Sequence, residues 1–147
     1  LRLKPGQQCV LTAGDVFQIG NLEFVLERFN TGHVGVQGYR GRMEDTSKVM
    51  QDLRISRDIA LSFFGVYDGH GGEKCAKFLE EHLHRHVKKA LKDRDIRGSQ
   101  NVSKTIQEAI VEAFHDCDKR FFKLKPQASL YSGSVACTCL IVGDQLY

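Results

Sequence analysis

The sequence of 147 residues is poor in several things at once. It has only 2 prolines and a modest, balanced charge, which argues against a wholly disordered chain. No apolar run approaches the ~18 residues that a membrane-spanning helix needs, the richest stretch being the short Leu61–Tyr67 segment. No basic stretch leads into an apolar one at the start, so no secretory signal is visible. Excess charge is missing too: 21 basic against 18 acidic residues leave +3. A nucleic-acid binder concentrates basic charge on one face, whereas the one basic cluster, Arg85–Arg94, shares its helix with Glu80, Glu81 and Asp93 and reads as a solvated face. Neither nucleic acid nor membrane is therefore expected as a partner. The five cysteines (Cys9, Cys75, Cys117, Cys137, Cys139) are odd in number and contain no CxxC pair. They read as reduced, buried thiols of an intracellular protein of the cytoplasm or nucleus, with Cys137 and Cys139 packed on one strand face. The length suits about one domain at ~100–200 residues. Because the sequence opens at Leu1 and stops in a β-like run at Tyr147, it is expected to be a piece of something longer.

Residues 1–30 read as β structure, with Val10-Leu11, Val16–Ile19 and Leu22–Leu26 set around Ala13-Gly14-Asp15 and Gly20-Asn21. The turn-like Asn30-Thr31-Gly32 marks an expected domain boundary near residue 31. Beyond it His33–Gln37 alternates like a short strand, and Leu61–Tyr67 is apolar enough for a strand buried on both faces. Asp68-Gly69-His70-Gly71-Gly72 should end that strand. Ala76, Leu79, Leu83, Val87 and Leu91 then recur at helical spacing over about 73–92, and Ile106, Ala109, Ala113, Cys117 and Phe121 over about 103–123. Asn101 or Ser103 is placed to cap the second helix, and Pro126 to stop it. Strands return at Val135–Val142 and Gln145–Tyr147, around the Gly143-Asp144 turn. The order implies an α+β fold in which helices cover a sheet.

Two constellations carry chemistry. Arg40-Gly41-Arg42-Met43-Glu44-Asp45 sets arginines just before adjacent carboxylates, a pattern that by itself also suits a solvated loop. Asp68-Gly69-His70-Gly71-Gly72 follows a buried strand, where an Asp is held rigidly and glycines allow close backbone approach. Hard cations want carboxylate and carbonyl oxygens, and a histidine exchanges protons near neutral pH. Carboxylates repel one another unless a cation neutralises them. Glu44, Asp45 and Asp68 are thus expected to gather Mg²⁺ or Mn²⁺, with Arg40 forking a phosphate and His70 as the acid for a departing alkoxide. That is the equipment of metal-assisted phosphoester hydrolysis.

Arg40-x-x-Met43-Glu44-Asp45, then Phe64-Gly65-Val66-Tyr67-Asp68-Gly69-His70-Gly71-Gly72, then Ser132-Gly133-Ser134 before an apolar strand, resemble the first three motifs of the metal-dependent serine/threonine protein phosphatases of type 2C. The likeness covers about residues 33–147. It implies an α+β fold that is the truncated N-terminal part of a β-sandwich flanked by helices, with 31–147 the start of a catalytic domain. It implies two ions, Mg²⁺ or Mn²⁺, held by Asp68, the carbonyl of Gly69, Glu44 and Asp45. Arg40 would grip the substrate phosphate and His70 protonate the leaving oxygen, while a metal-activated water attacks phosphorus in phosphoserine or phosphothreonine of protein substrates. Val135 stands where the family's run has threonine. The family's later aspartate ligands lie further along than Tyr147, so this stretch alone is expected to be inactive. The alternative is a non-catalytic phosphoprotein-binding module with a phosphatase-like fold. Leu11–Phe24 separately resembles the closing strands of a forkhead-associated domain, which gives the expected assignment of 1–30.

Overall fold

Leu61, Phe63 and Tyr67 are all buried on one face of an 11-residue strand, and the fold is built to cover them. The structure, a computed structural model, describes Thr31, residues 33–56, 59–143 and 145–147, and the backbone of 16–19 and 22–25. The chain divides between Val34 and Gly35 into two units. In the first, β1 (Val16–Ile19) and β2 (Leu22–Val25) pair antiparallel, Val16 opposite Val25 and Ile19 opposite Leu22. The strand expected at Val10-Leu11 lies outside the described residues, as does Cys9.

The second unit is α+β. Its antiparallel sheet has the order β3 (Thr46–Arg54), β4 (Ala60–His70), β5 (Gly133–Val142), β6 (Gln145–Leu146). Between β4 and β5 the chain leaves the sheet for α1 (Lys74–Lys92) and α2 (Val102–Leu124). Helix α1 packs on β3, β4 and β5, and α2 packs on α1. The apolar stripes read from the sequence are the buried ones: Ala76, Leu83, Val87 and Leu91 from α1, and Ile106, Ala109, Ala113, Cys117 and Phe121 from α2. Burying each large aliphatic or aromatic side chain is worth roughly 1.5–3 kcal/mol, so this layer holds the sheet edge that carries the site. The side chain of Asn101 accepts from the Lys104 N–H at 3.0 Å, capping α2.

Four expectations change. His33–Gln37 is irregular and pairs with no described strand; Val34 and Val36 are 87% and 79% exposed, so their alternation buries nothing. Strand β3 was not expected. A bulge between Met50 and Leu53 sets Met50 opposite Phe63 and Leu53 opposite Leu61, so its inward residues lie three apart instead of two. Strand β4 does not end at Tyr67: it stays paired with β5 through His70, opposite Gly133. Nor is β4 buried on both faces, since Val66 is 58% exposed and its partner Cys137 is exposed as well.

Candidate active site

Each candidate residue is placed by a different local device. Arg40 lies in the loop before β3, in a turn that Gln37 closes twice. The Arg40 N–H donates to the Gln37 carbonyl at 3.4 Å, and the Gln37 side-chain amide donates to the Arg40 carbonyl at 2.7 Å. Glu44 and Asp45 are the last residues before β3. Its register has Thr46 opposite Tyr67, and continuing that register brings Asp45 alongside Asp68 and Glu44 alongside Gly69. The approach is close: a Cβ on Gly69 would run into the Glu44 carbonyl oxygen and lie 3.1 Å from its carbon. Period-two alternation along β4 then turns Asp68 and His70 outward between buried Tyr67 and Gly69. Burial pushes the Tyr67 phenol up, so beneath the rim the strand presents a neutral side chain to the core.

The corner after His70 is fixed from far along the chain. Gly71 has φ +67°, the left-handed region that glycine enters without strain, and any Cβ there would strike the Tyr131 carbonyl. The Ser132 hydroxyl donates to the Gly72 carbonyl at 2.7 Å and accepts from the Cys75 N–H at 3.1 Å, tying the corner and the start of α1 to the start of β5. Thr46 binds the same helix, its hydroxyl donating to the Ala76 carbonyl at 3.0 Å.

As a result Arg40, Glu44, Asp45, Asp68, Gly69 and His70 all line one cleft of about 650 Å³, together with Gln37, Arg42 and Met43. Three carboxylates and a strand-end carbonyl are the oxygen donors that a hard divalent cation takes, so the residues present fit Mg²⁺ or Mn²⁺ in kind. Among the described residues no three His, Cys, Asp or Glu side chains are drawn close enough together to hold an ion as they stand. Glu44, Asp45, Asp68 and the Gly69 carbonyl are the donors in the cleft that would hold such an ion.

The family model of protein phosphatase 2C matches residues 30–147, a span that takes in the whole cleft. The chain belongs to the protein phosphatase 2C family. Over 119 residues it is 31% identical to "Probable protein phosphatase 2C 59" of Arabidopsis thaliana, covering 81% of this chain and 35% of that one. Over 120 residues it is 32% identical to "Probable protein phosphatase 2C 45" of Oryza sativa subsp. japonica, covering 82% and 38%. "Probable protein phosphatase 2C 52" of the same rice is 30% identical over 79% of this chain and 21% of its own length. The chain thus spans between 21% and 38% of the length of these three relatives. A solved structure described as that of a C. elegans sex determining protein overlays on 66% of this chain and 26% of its own with TM-score 0.45 and 19% identity. The family assignment rests on the sequence matches.

Sequence reasoning overlooked some of what surrounds the protein phosphatase 2C cleft. Gln37 carries no motif signal; only its hydrogen bonds to Arg40 reveal it. Ser132-Gly133 entered only as the start of the third family motif, with no role in the site, yet Ser132 braces the glycine corner and Gly133 faces the His70 ring, with a Cβ there lying 2.8 Å from His70 Cε1.

Proposed function

We propose that the protein hydrolyses phosphoserine and phosphothreonine on protein substrates with the help of two divalent ions, Mg²⁺ or Mn²⁺. The observation carrying this reading is that one cleft collects the guanidinium of Arg40, the carboxylates of Glu44, Asp45 and Asp68, and the imidazole of His70, although they come from two separate stretches of chain. Asp68, the Gly69 carbonyl, Glu44 and Asp45 are the residues that would hold the ions. When bound, such ions supply charge neutralisation and activation of water for attack on phosphorus. Arg40 binds the phosphate oxygens through its planar fork and so orients the ester. His70, at the end of β4 and exposed, donates a proton to the departing seryl or threonyl oxygen. Residues 1–30 are read as the closing strands of a forkhead-associated domain; they carry none of its phosphate-contacting residues, and recruitment of phosphorylated partners would fall to the complete domain.

Changing Asp68→Asn in the full-length protein removes one cation-binding charge with little change of volume. Release of phosphate from a phosphothreonine peptide in Mn²⁺ should fall to background while the thermal midpoint holds within a few degrees. Survival of turnover would show the metal assignment to be wrong. The rival reading is a phosphoprotein-binding module with a phosphatase-like fold and no catalysis. It would appear as phosphopeptide binding by the unaltered protein with no turnover in either metal.

A further inference from the structure

The cleft does not stop at its own walls. It shares Gln37, Gly41, Arg42, Met43 and Glu44 with a second hollow of about 840 Å³ that reaches Gly72 and Tyr131. That hollow in turn shares Lys74, Gln127 and Ala128 with a third, of about 760 Å³, between the first turns of α1 and the end of α2. Sharing walls in this way, the three make a trench that leads from the phosphate site past the start of α1 to the end of α2.

Beyond the cleft the trench has a consistent character. Its cations are Arg42, Lys74, Lys77, Arg120 and Lys125. The carboxylates against them are Glu73, which Lys77 already engages at 2.7 Å, and Glu81, which lies 3.7 Å from His82. The bond and charge of Lys77, joined by Arg42, hold the Glu73 carboxyl below its usual range. Lys74, Arg120 and Lys125 make no ion pair with a described residue. Burial and then the Arg120 charge push the His82 imidazole down, so it adds no cation; its ring packs tilted against Phe78 at 4.3 Å between centroids. Apolar footholds are present as well: Leu124 is 51% exposed and Tyr131 78% exposed. A wall of unpaired cations beside exposed apolar side chains, continuous with a phosphate site, suits an extended polypeptide with acidic side chains. Continuity with a site read as one for phosphorylated protein favours the flank of that same polypeptide over a nucleic acid.

We infer that this trench seats the segment flanking the phosphorylated residue, and that it selects protein substrates with acidic residues there, read by Lys74, Arg120 and Lys125 with an apolar anchor on Leu124. The inference rests on the reading of the cleft as a phosphatase site. Three phosphothreonine peptides of equal length test it on the full-length protein: one with neutral flanks, one with four glutamates before the phosphothreonine and one with four after. One acidic peptide should exceed the neutral one in kcat/KM, mainly through KM. Exposed ion pairs are individually weak, so Arg120→Glu with Lys125→Glu should cost that peptide about tenfold, while Arg120→Lys keeps most of the preference. Neutral peptide and nitrophenyl phosphate should stay within about twofold in the reversed variant. Absence of any acidic preference, or an equal loss on all substrates, overturns the trench while leaving the phosphatase reading intact. If the unaltered protein turns over none of them, nitrophenyl phosphate included, the phosphatase reading has failed, and fluorescence anisotropy decides the trench separately. With the acidic peptides carrying glutamate in place of phosphothreonine, salt-sensitive binding that the double reversal abolishes supports it, and equal binding of an oligothymidylate overturns it.

Discussion

Replacing Gly133 by alanine adds one methyl group and should act on the chemistry through His70. His70 and Gly133 are the last cross-strand pair of β4 and β5. A Cβ at 133 would collide with Nε2 of the imidazole and lie 2.8 Å from Cε1 and 3.3 Å from Cδ2. Carbon contacts settle at about 3.5–4.0 Å, so the ring must retreat by roughly an ångström. His70 is exposed and has room to swing outward, so the strand itself need not yield. Gly133 opens β5, so alanine there gains less than the ~0.5–1 kcal/mol of a strand interior, and the net stability change should be under ~1 kcal/mol. The cost falls on catalysis instead. A 1 Å misplacement costs on the order of 10²-fold, within the roughly 10²–10⁴-fold that a general acid contributes in total. The assay is kcat on a phosphoserine peptide and on nitrophenyl phosphate, whose leaving group scarcely needs a proton. Gly133→Ala should lose about 10²-fold on the peptide and less than about threefold on the aryl ester. Added to His70→Ala it should cost nothing further, because the two changes remove one function. Equal losses on both substrates, or full additivity with His70→Ala, would refute the idea that Gly133 seats the acid.

Ser132→Ala strands the Gly72 carbonyl and the Cys75 N–H, which its buried hydroxyl now joins, and should destabilise the fold by about 1–3 kcal/mol in a urea titration; a loss below about 0.5 kcal/mol would show that the corner holds without it. His84 provides a pH signature: it is buried beside Phe63, and burial, then the charges of Lys48 and Arg85, push its pKa down to about 4. The unfolded chain, titrating near 6.5, binds the proton more readily, so stability is full above that value and falls as pH drops toward 4, by up to about 2 kcal/mol between pH 7.5 and 5. His84→Leu should remove that share of the slope, and an unchanged slope would place its origin elsewhere.

What could be read from the sequence depended on how far each residue's partner lay along the chain. The helices were legible because their buried residues recur every three or four positions, as Leu83, Val87 and Leu91 do, and a stripe of that width needs no knowledge of what covers it. Strand β3 was hidden because its bulge breaks the two-residue period on which strand recognition depends. The extension of β4 through His70 was hidden as well: three glycines in five residues argue against a strand, and ten successive cross-strand pairs with β5 outweigh them. The same division runs through the cleft. Arg40, Glu44, Asp45, Asp68, Gly69 and His70 announce their chemistry within two short stretches, and the hairpin of β3 and β4 is enough to bring those stretches side by side. The geometry that chemistry needs is set by residues carrying no local signal. Ser132 acts on Gly72 from 60 positions away, and Gly133 serves His70 by what it lacks. A missing methyl group is visible only against the ring that occupies its place, so the seat of the proposed acid becomes legible only once β4 and β5 are paired.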